Sequence, residues 1–242
     1  MTHAAIEGAP QVARGVSPRE VARFNALASR WWDPKGPMRP LHAMNPARVG
    51  WIVARAAQSL GSLDGVRLLD VGCGAGLAAE ALAQRGFDVL GIDAGQDVIA
   101  AAKAHAPAGG PDYRVAAAED LLGEGLRFPV ITALEVIEHV PDPAAFVRTL
   151  AGLLEPRGLL FLSTLNRTRR AFLVAKLGAE YVLRLLPAGT HDWRQFVTPA
   201  ELGGLLRAAG ARVTDSCGLS PGLGGWRVTR DLAVNYLMAA EV

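Results

Sequence analysis

Apolar residues follow two rhythms along this chain, and the rhythm changes near residue 66. Before it, Ser17-Pro18-Arg19-Glu20 has the form of a helix start, with Ser17 at the cap, Pro18 in the first helical position and Glu20 in capping-box register. The helix it opens carries Val21, Phe24 and Leu27 on one face. Trp31 to Pro37 holds Pro34, Gly36 and Pro37 and must break that helix; a second is expected from about Pro46 to Leu60. From Val66 onward, short apolar runs alternate with helical stretches. Strands are expected over Val66–Val71, Phe87–Asp93, Tyr113–Ala118, Val130–Val136, Gly158–Thr164 and Ala211–Ser216. Helices are expected over Leu77–Arg85, Gln96–His105, Pro143–Leu154 and Thr198–Ala209, and a last apolar run, Val234–Ala240, is expected to close a sheet edge.

Strands alternating with helices of this length imply parallel β-α-β units, hence a doubly wound α/β sheet. The expected organisation is a disordered stretch over 1–16 and a single domain over 17–242. Within that domain, 17–62 form a helical cap, and 167–195 form a helical insertion after the fifth strand.

Composition narrows the function classes. Of 242 residues, 50% are hydrophobic and 20% charged, as in a globular domain, and a net charge of +2 leaves no overall basic footprint for nucleic acid. Cys73 and Cys217 stand apart, making neither a disulfide framework nor a zinc motif, so a reducing, cytoplasmic setting is expected. The first residues do not read as a secretory signal, and no apolar run approaches the ~18 residues of a spanning helix.

The chemistry gathers around Leu68-Leu69-Asp70-Val71-Gly72-Cys73-Gly74-Ala75-Gly76. A buried strand running into alternating glycines and then a helix lets the backbone turn tightly and approach a ligand closely. Asp93 ends the next strand about twenty residues later, where a carboxylate can accept both ribose hydroxyls of an adenosine. The spacing is G-x-G-x-G, whereas dinucleotide sites have G-x-G-x-x-G. A ligand-free glycine turn and a nicotinamide or flavin site are the competing readings.

Asp70-Val71-Gly72-Cys73-Gly74-Ala75-Gly76 and Gly91-Ile92-Asp93 resemble the first two motifs of class I S-adenosylmethionine methyltransferases. The resemblance implies a Rossmann-like, seven-stranded, mostly parallel sheet, with Gly72, Gly74 and Gly76 facing the methionine part of the cofactor. It also implies Asp93 on the ribose and Glu119-Asp120 at the adenine. Narrower features are Phe24 to Asn45, which includes Ala28-Ser29-Arg30-Trp31-Trp32-Asp33, then Glu135 to Pro143, Ser163-Thr164-Leu165-Asn166-Arg167, and Gly189-Thr190-His191-Asp192-Trp193. Together these resemble the ubiquinone biosynthesis O-methyltransferases, which act on polyprenylated catechol-type intermediates at two O-methylation steps. That resemblance adds Arg48 and Leu134 as cofactor contacts. A guanidinium at Arg48 can clamp a carboxylate bidentately.

Methyl transfer to a phenol needs alignment and an ionised oxygen. With a pKa near 10, a phenol at neutral pH sits roughly 4 kcal/mol from its anion. Glu135, Glu138 and His139, at the ligand end of the fourth strand, suit that task in two ways. They can hold a divalent ion, magnesium by resemblance, that binds both catechol oxygens. Alternatively His139 acts directly as general base. A structural role, in which Glu138 and His139 fix the loop, is the third reading. His191-Asp192 is expected to be structural, and Trp31, Trp32, His42 and Cys73 to be packing residues.

Residues 167–187 mix bulky apolar side chains with Arg167, Arg169, Arg170, Lys176 and Arg184, a composition that fits an anionic membrane surface or a lid helix. The expectation is a cytoplasmic protein peripheral on the inner membrane face, meeting other ubiquinone biosynthesis enzymes and no nucleic acid. The competing functions are O- or N-methylation of another small phenolic or acidic metabolite, and a non-catalytic cofactor-binding scaffold.

Overall fold

The computed structural model describes residues 15–173, 193–222 and 225–242. The chain enters through α1 (Pro18–Asn25) and α2 (Arg39–Leu60). There follow β1 (Arg67–Val71), α3 (Leu77–Ala83), β2 (Asp88–Asp93), α4 (Gln96–His105), β3 (Asp112–Val115), α5 (Ala118–Gly123), β4 (Phe128–Leu134), α6 (Pro143–Gly152) and β5 (Leu154–Leu165). The last elements are α7 (Pro199–Ala208), β6 (Arg212–Gly222), β7 (Gly225–Thr229) and β8 (Asn235–Glu241).

All eight strands form one sheet in the order β3-β2-β1-β4-β5-β8-β6-β7. Strands β1 to β5 pair in parallel, β8 runs antiparallel to β5 and β6, and β7 antiparallel to β6. The doubly wound reading holds, with two differences. Strand β8 is an interior strand: Leu159↔Glu241 through Leu165↔Asn235 bind one flank and β6 the other. Asn235 through Ala240 are all buried, so the apolar continuity placed at an edge belongs to a strand covered on both faces. The edge is β7, an eighth strand of mostly exposed residues that carries no apolar run to betray it.

Helix α2 begins at Arg39 and takes Pro46 into its interior, seven residues before the expected start. Burial of Met44, Trp51 and Ile52 outweighs the one amide bond that Pro46 cannot make. Strand β3 ends at Val115, and Glu119-Asp120 open α5, where the Asp120 carboxylate accepts the Ala117 N–H at 2.9 Å.

The sheet is apolar on both faces. Leu68, Ile52 and Leu82 pack on one side, and Ile131, Leu160 and Leu206 on the other. Between β1 and β4 the strand order reverses, leaving a crevice at their carboxyl ends, where doubly wound folds take ligands.

Candidate active site

A cavity of about 460 Å³ opens at that crevice. Its floor comes from the ends of β1, β2 and β4, and α1 and the start of α2 form a wall. Gly72, Gly74 and Gly76 all have positive φ, at 68°, 54° and 91°. Only Gly72 of the three lines the cavity. A Cβ on Gly74 would overlap the Trp31 ring and one on Gly76 the Tyr113 hydroxyl, so these two glycines serve the packing that shapes the loop. The Asp93 carboxylate accepts N–H groups from Gly74 at 3.0 Å and Gly95 at 2.8 Å. It ties the loop to β2. Burial raises its pKa despite those bonds.

Two buried charges face the cavity. Arg48 is 3% exposed, and its Nε donates to Asn45 at 2.9 Å; Asn45 in turn donates to the Leu77 carbonyl. Burial lowers the Arg48 pKa, while Glu135 and Asp70 oppose that shift. Asp70 accepts from the Thr132 hydroxyl at 2.6 Å through Oδ1, and Oδ2 is buried with no partner. Burial pushes its pKa up to about 6.

At the end of β4, Glu135 takes a left-handed backbone (φ 59°), a strain that surrounding bonds must maintain. Its carboxylate accepts the Ser163 hydroxyl at 2.6 Å and the Asn235 amide at 3.0 Å. Glu138 is buried, accepts the Thr164 hydroxyl at 2.9 Å, and has its pKa raised by that burial and by the neighbouring Glu135. His139 Nδ1 lies 2.8 Å from a Glu20 carboxylate oxygen, and the Phe24 ring meets the imidazole edge-on at 5.2 Å. Burial depresses the His139 pKa, but the bond to Glu20 and the charges of Glu138 and Glu20 outweigh it, and the net shift is upward.

A family profile described as a methyltransferase domain matches residues 25–216. The ubiquinone biosynthesis O-methyltransferase of Azorhizobium caulinodans is 46% identical over 237 residues, covering 93% of this chain and 94% of its own. The protein of that name from Pseudomonas aeruginosa PAO1 is 46% identical, covering 92% and 96%. This chain belongs to the ubiquinone biosynthesis O-methyltransferase family. Among solved structures, the magnesium protoporphyrin IX methyltransferase of Synechocystis PCC 6803 with bound S-adenosylmethionine superposes with a TM-score of 0.64. It is 19% identical and covers 95% of this chain and 99% of its own, a likeness of fold. The chain is an S-adenosylmethionine-dependent methyltransferase.

The family's cofactor fits the residues present. The orphaned Asp70 oxygen and the buried Arg48 guanidinium match an ammonium and a carboxylate, the two charges of an amino acid. Arg48, Gly72, Asp93, Glu119 and Leu134 all line the cavity. Asp120, expected at the adenine, instead caps α5 and is absent from that lining, as are Gly74 and Gly76.

Glu135, Glu138 and His139, the residues expected to hold a divalent ion or to supply the base, all line the cavity, and each has a partner from another element: Ser163 and Asn235, Thr164, and Glu20. Among the described residues, no three carboxylate, imidazole or thiol side chains come together as a ligand set.

Trp31, Trp32 and His42 pack as expected: Trp32 donates to the Ala75 carbonyl at 3.0 Å and stacks on His105, and His42 Nε2 bonds the Trp31 carbonyl. Cys73 is buried, and burial holds its thiol protonated. His191-Asp192, most of the basic insertion and residues 1–14 lie outside the described residues. The residues that sequence reasoning missed are Glu20, Asn45, Ser163, Thr164 and Asn235, partners supplied from distant elements. Asn45, Ser163 and Thr164 stood in family-like segments with no role assigned to them, and Glu20 gave a local signal that pointed to a capping box. Ser17 makes no side-chain cap bond, and Glu20 turns to His139.

Proposed function

We propose that this enzyme methylates a hydroxyl of polyprenylated catechol-type intermediates of ubiquinone biosynthesis, at both O-methylation steps. The observation that carries the reading is one cavity with two kinds of wall. A polar floor holds Arg48, Asp70 and His139, and an apolar wall is built from Met38, Leu41, Met44, Leu165, Trp226 and Val234. The floor suits a zwitterionic cofactor and a phenol, and the wall a prenyl tail.

In this mechanism the bound cofactor supplies a methyl group on a sulfonium sulfur, already reactive toward an oxygen nucleophile. Arg48 holds the cofactor carboxylate and Asp70 Oδ2 its ammonium, while Asp93 takes the ribose and Gly72 leaves room for the chain. Closing most of the cavity to water strengthens these charges. His139 accepts the acceptor hydroxyl's proton. Its raised pKa narrows the roughly 4 kcal/mol gap between a neutral phenol and its anion. Glu135, clamped by Ser163 and Asn235, is a preorganised hydrogen-bond acceptor for the second hydroxyl.

The tail belongs in a bilayer, and the reading includes peripheral association with an anionic membrane. Phe172 and Leu173 are exposed and follow Arg169 and Arg170 in the chain, and Trp193 is exposed at the other end of the basic stretch. No helix among the described residues is long and apolar enough to cross a membrane. Contacts with other ubiquinone biosynthesis enzymes would occur at that surface.

The test compares radiolabelled methyl transfer to a short-chain prenylated catechol and to the same catechol without its tail. Transfer with a markedly higher kcat/KM for the prenylated acceptor supports the reading. Equal kcat/KM for the two would remove the apolar wall from the account.

A further inference from the structure

Behind the cavity, a relay of side chains from three separate parts of the fold ends on the glycine loop. Cys73 to Gly76 form a turn closed by the Gly76 N–H on the Cys73 carbonyl at 3.0 Å. Gly72 and Cys73 donate to the Ile92 carbonyl, and Gly74 to Asp93. The carbonyl of Ala75, a residue with no exposed surface, draws its donor from farther off: the Trp32 indole Nε1 reaches it at 3.0 Å from 43 residues upstream. Trp32 is fixed in turn. Its ring lies flat on the His105 imidazole, with centroids 3.4 Å apart and planes 5° from parallel. His105 ends α4, and its Nδ1 bonds the Glu80 carboxylate at 2.9 Å. Glu80 belongs to α3, the helix that starts at the loop, so the relay closes on the element it began from.

None of Trp32, Ala75, Glu80 and His105 lines the cavity, whereas Trp31 does and lies against Gly74. Two adjacent indoles therefore hold one turn, Trp31 on the cavity side and Trp32 behind it. Packing alone does not call for this chemistry. The Glu80 side chain is 7% exposed, and a buried carboxylate carries a desolvation cost that an apolar pair avoids. What the carboxylate adds is direction, since it accepts only from a ring nitrogen and so sets the plane on which Trp32 stacks.

We propose that Trp32 is a positioning residue for S-adenosylmethionine, and that His105, oriented by Glu80, acts through it. Three of the five residues from Gly72 to Gly76 are glycine, and glycine backbone has many conformations within reach. The bond from Gly74 to Asp93 and the bond from Trp32 to Ala75 hold the peptides on either side of the turn's central one. With both made, Gly72 and Cys73 keep their place in the cavity wall before the cofactor arrives, and binding bears less of the cost of ordering the loop.

The test is calorimetric titration of S-adenosylmethionine into the full chain, well below the melting transition of each unliganded variant. Trp32→Phe keeps a ring on His105 and loses the N–H; the Kd should rise roughly three- to tenfold, the size of one neutral hydrogen bond. His105→Ala should raise it by a similar factor, and His105→Phe, which restores a stacked ring, should recover part of the loss. The His105 side chain is 44% exposed, so the test does not depend on a core substitution. In the Trp32→Phe background, His105→Ala should raise the Kd no further. In turnover, the loss should fall on the KM for S-adenosylmethionine rather than on kcat. A Kd within twofold of wild type in Trp32→Phe, even with a lower melting temperature, would show a packing role and overturn the proposal. Fold losses that multiply in the double variant, or His105→Phe no better than His105→Ala, would overturn the action of His105 through Trp32.

Discussion

Asp70→Asn separates what the buried floor costs from what it does. In the ligand-free protein, Asp70 is a carboxylate 2% exposed with one oxygen unpartnered, and its pKa stands at about 6 against an ordinary 3.8. A pKa raised on folding means that the native state holds its proton more tightly than the unfolded chain. The charge therefore destabilises the fold at high pH, and stability returns as pH falls through 6 toward 3.8. At ~1.36 kcal/mol per pH unit, the full penalty above pH 7 is about 3 kcal/mol, and about 1.4 kcal/mol of it is recovered between pH 8 and pH 5. The amide that replaces the carboxylate would keep an acceptor for the Thr132 hydroxyl and lose the titration. The wild-type melting temperature relative to the variant should rise by roughly 3–6 °C from pH 8 to pH 5, at ~2–4 °C per kcal/mol for a domain of this size. Thermal unfolding followed by circular dichroism at the two pH values reads this difference. The same variant should bind S-adenosylmethionine roughly tenfold to a hundredfold more weakly by calorimetry, because a charge-assisted bond of about 1.5–3 kcal/mol is lost. Identical pH shifts in the two proteins would refute the buried charge, and unchanged affinity would refute its role as the ammonium's partner.

Three further predictions bear on the site. Gly72→Val should abolish cofactor binding in a calorimetric titration, since its side chain would meet Val136 at the cavity floor. Gly74→Ala should act first on the fold, lowering stability by about 2–4 kcal/mol in denaturant unfolding, through left-handed strain together with the clash on Trp31. Phe172→Asp with Leu173→Asp should reduce retention on anionic liposomes in a flotation assay without changing cofactor affinity; undiminished retention would move the membrane contact elsewhere.

The strands that carry the cofactor loop were legible because β1, β2, β4 and β5 are short apolar runs, each followed by a glycine, a turn or a capped helix. Strand β7 was not, because Gly225–Thr229 is an exposed edge with no apolar period. The position of β8 was not either, since an apolar run states how thoroughly a strand is buried but not which neighbours bury it. The same limit applies in the site. Arg48, Gly72, Asp93, Leu134 and the Glu135–His139 cluster sit in or beside recognisable motifs, and all line the cavity. Their orienting partners do not: Asn235 reaches Glu135 across 100 residues, and Glu20 reaches His139 from α1. Those contacts arise from the sheet order and from the return of the N-terminal helix, which no local spacing encodes. Likewise Glu135, Glu138 and His139 take their hydrogen-bond partners Ser163, Asn235, Thr164 and Glu20 from other elements.

In the proposed reaction one cavity brings the sulfonium methyl to a ring hydroxyl of a prenylated catechol. Its most direct test is to run the reaction with isotopically labelled methyl on S-adenosylmethionine and to locate the label in the purified product by magnetic resonance and mass spectrometry. A single labelled methyl ether on a ring oxygen is expected, formed in one-to-one ratio with S-adenosylhomocysteine. Label on carbon or nitrogen, or cofactor bound with no label transferred to the prenylated catechol, would contradict it.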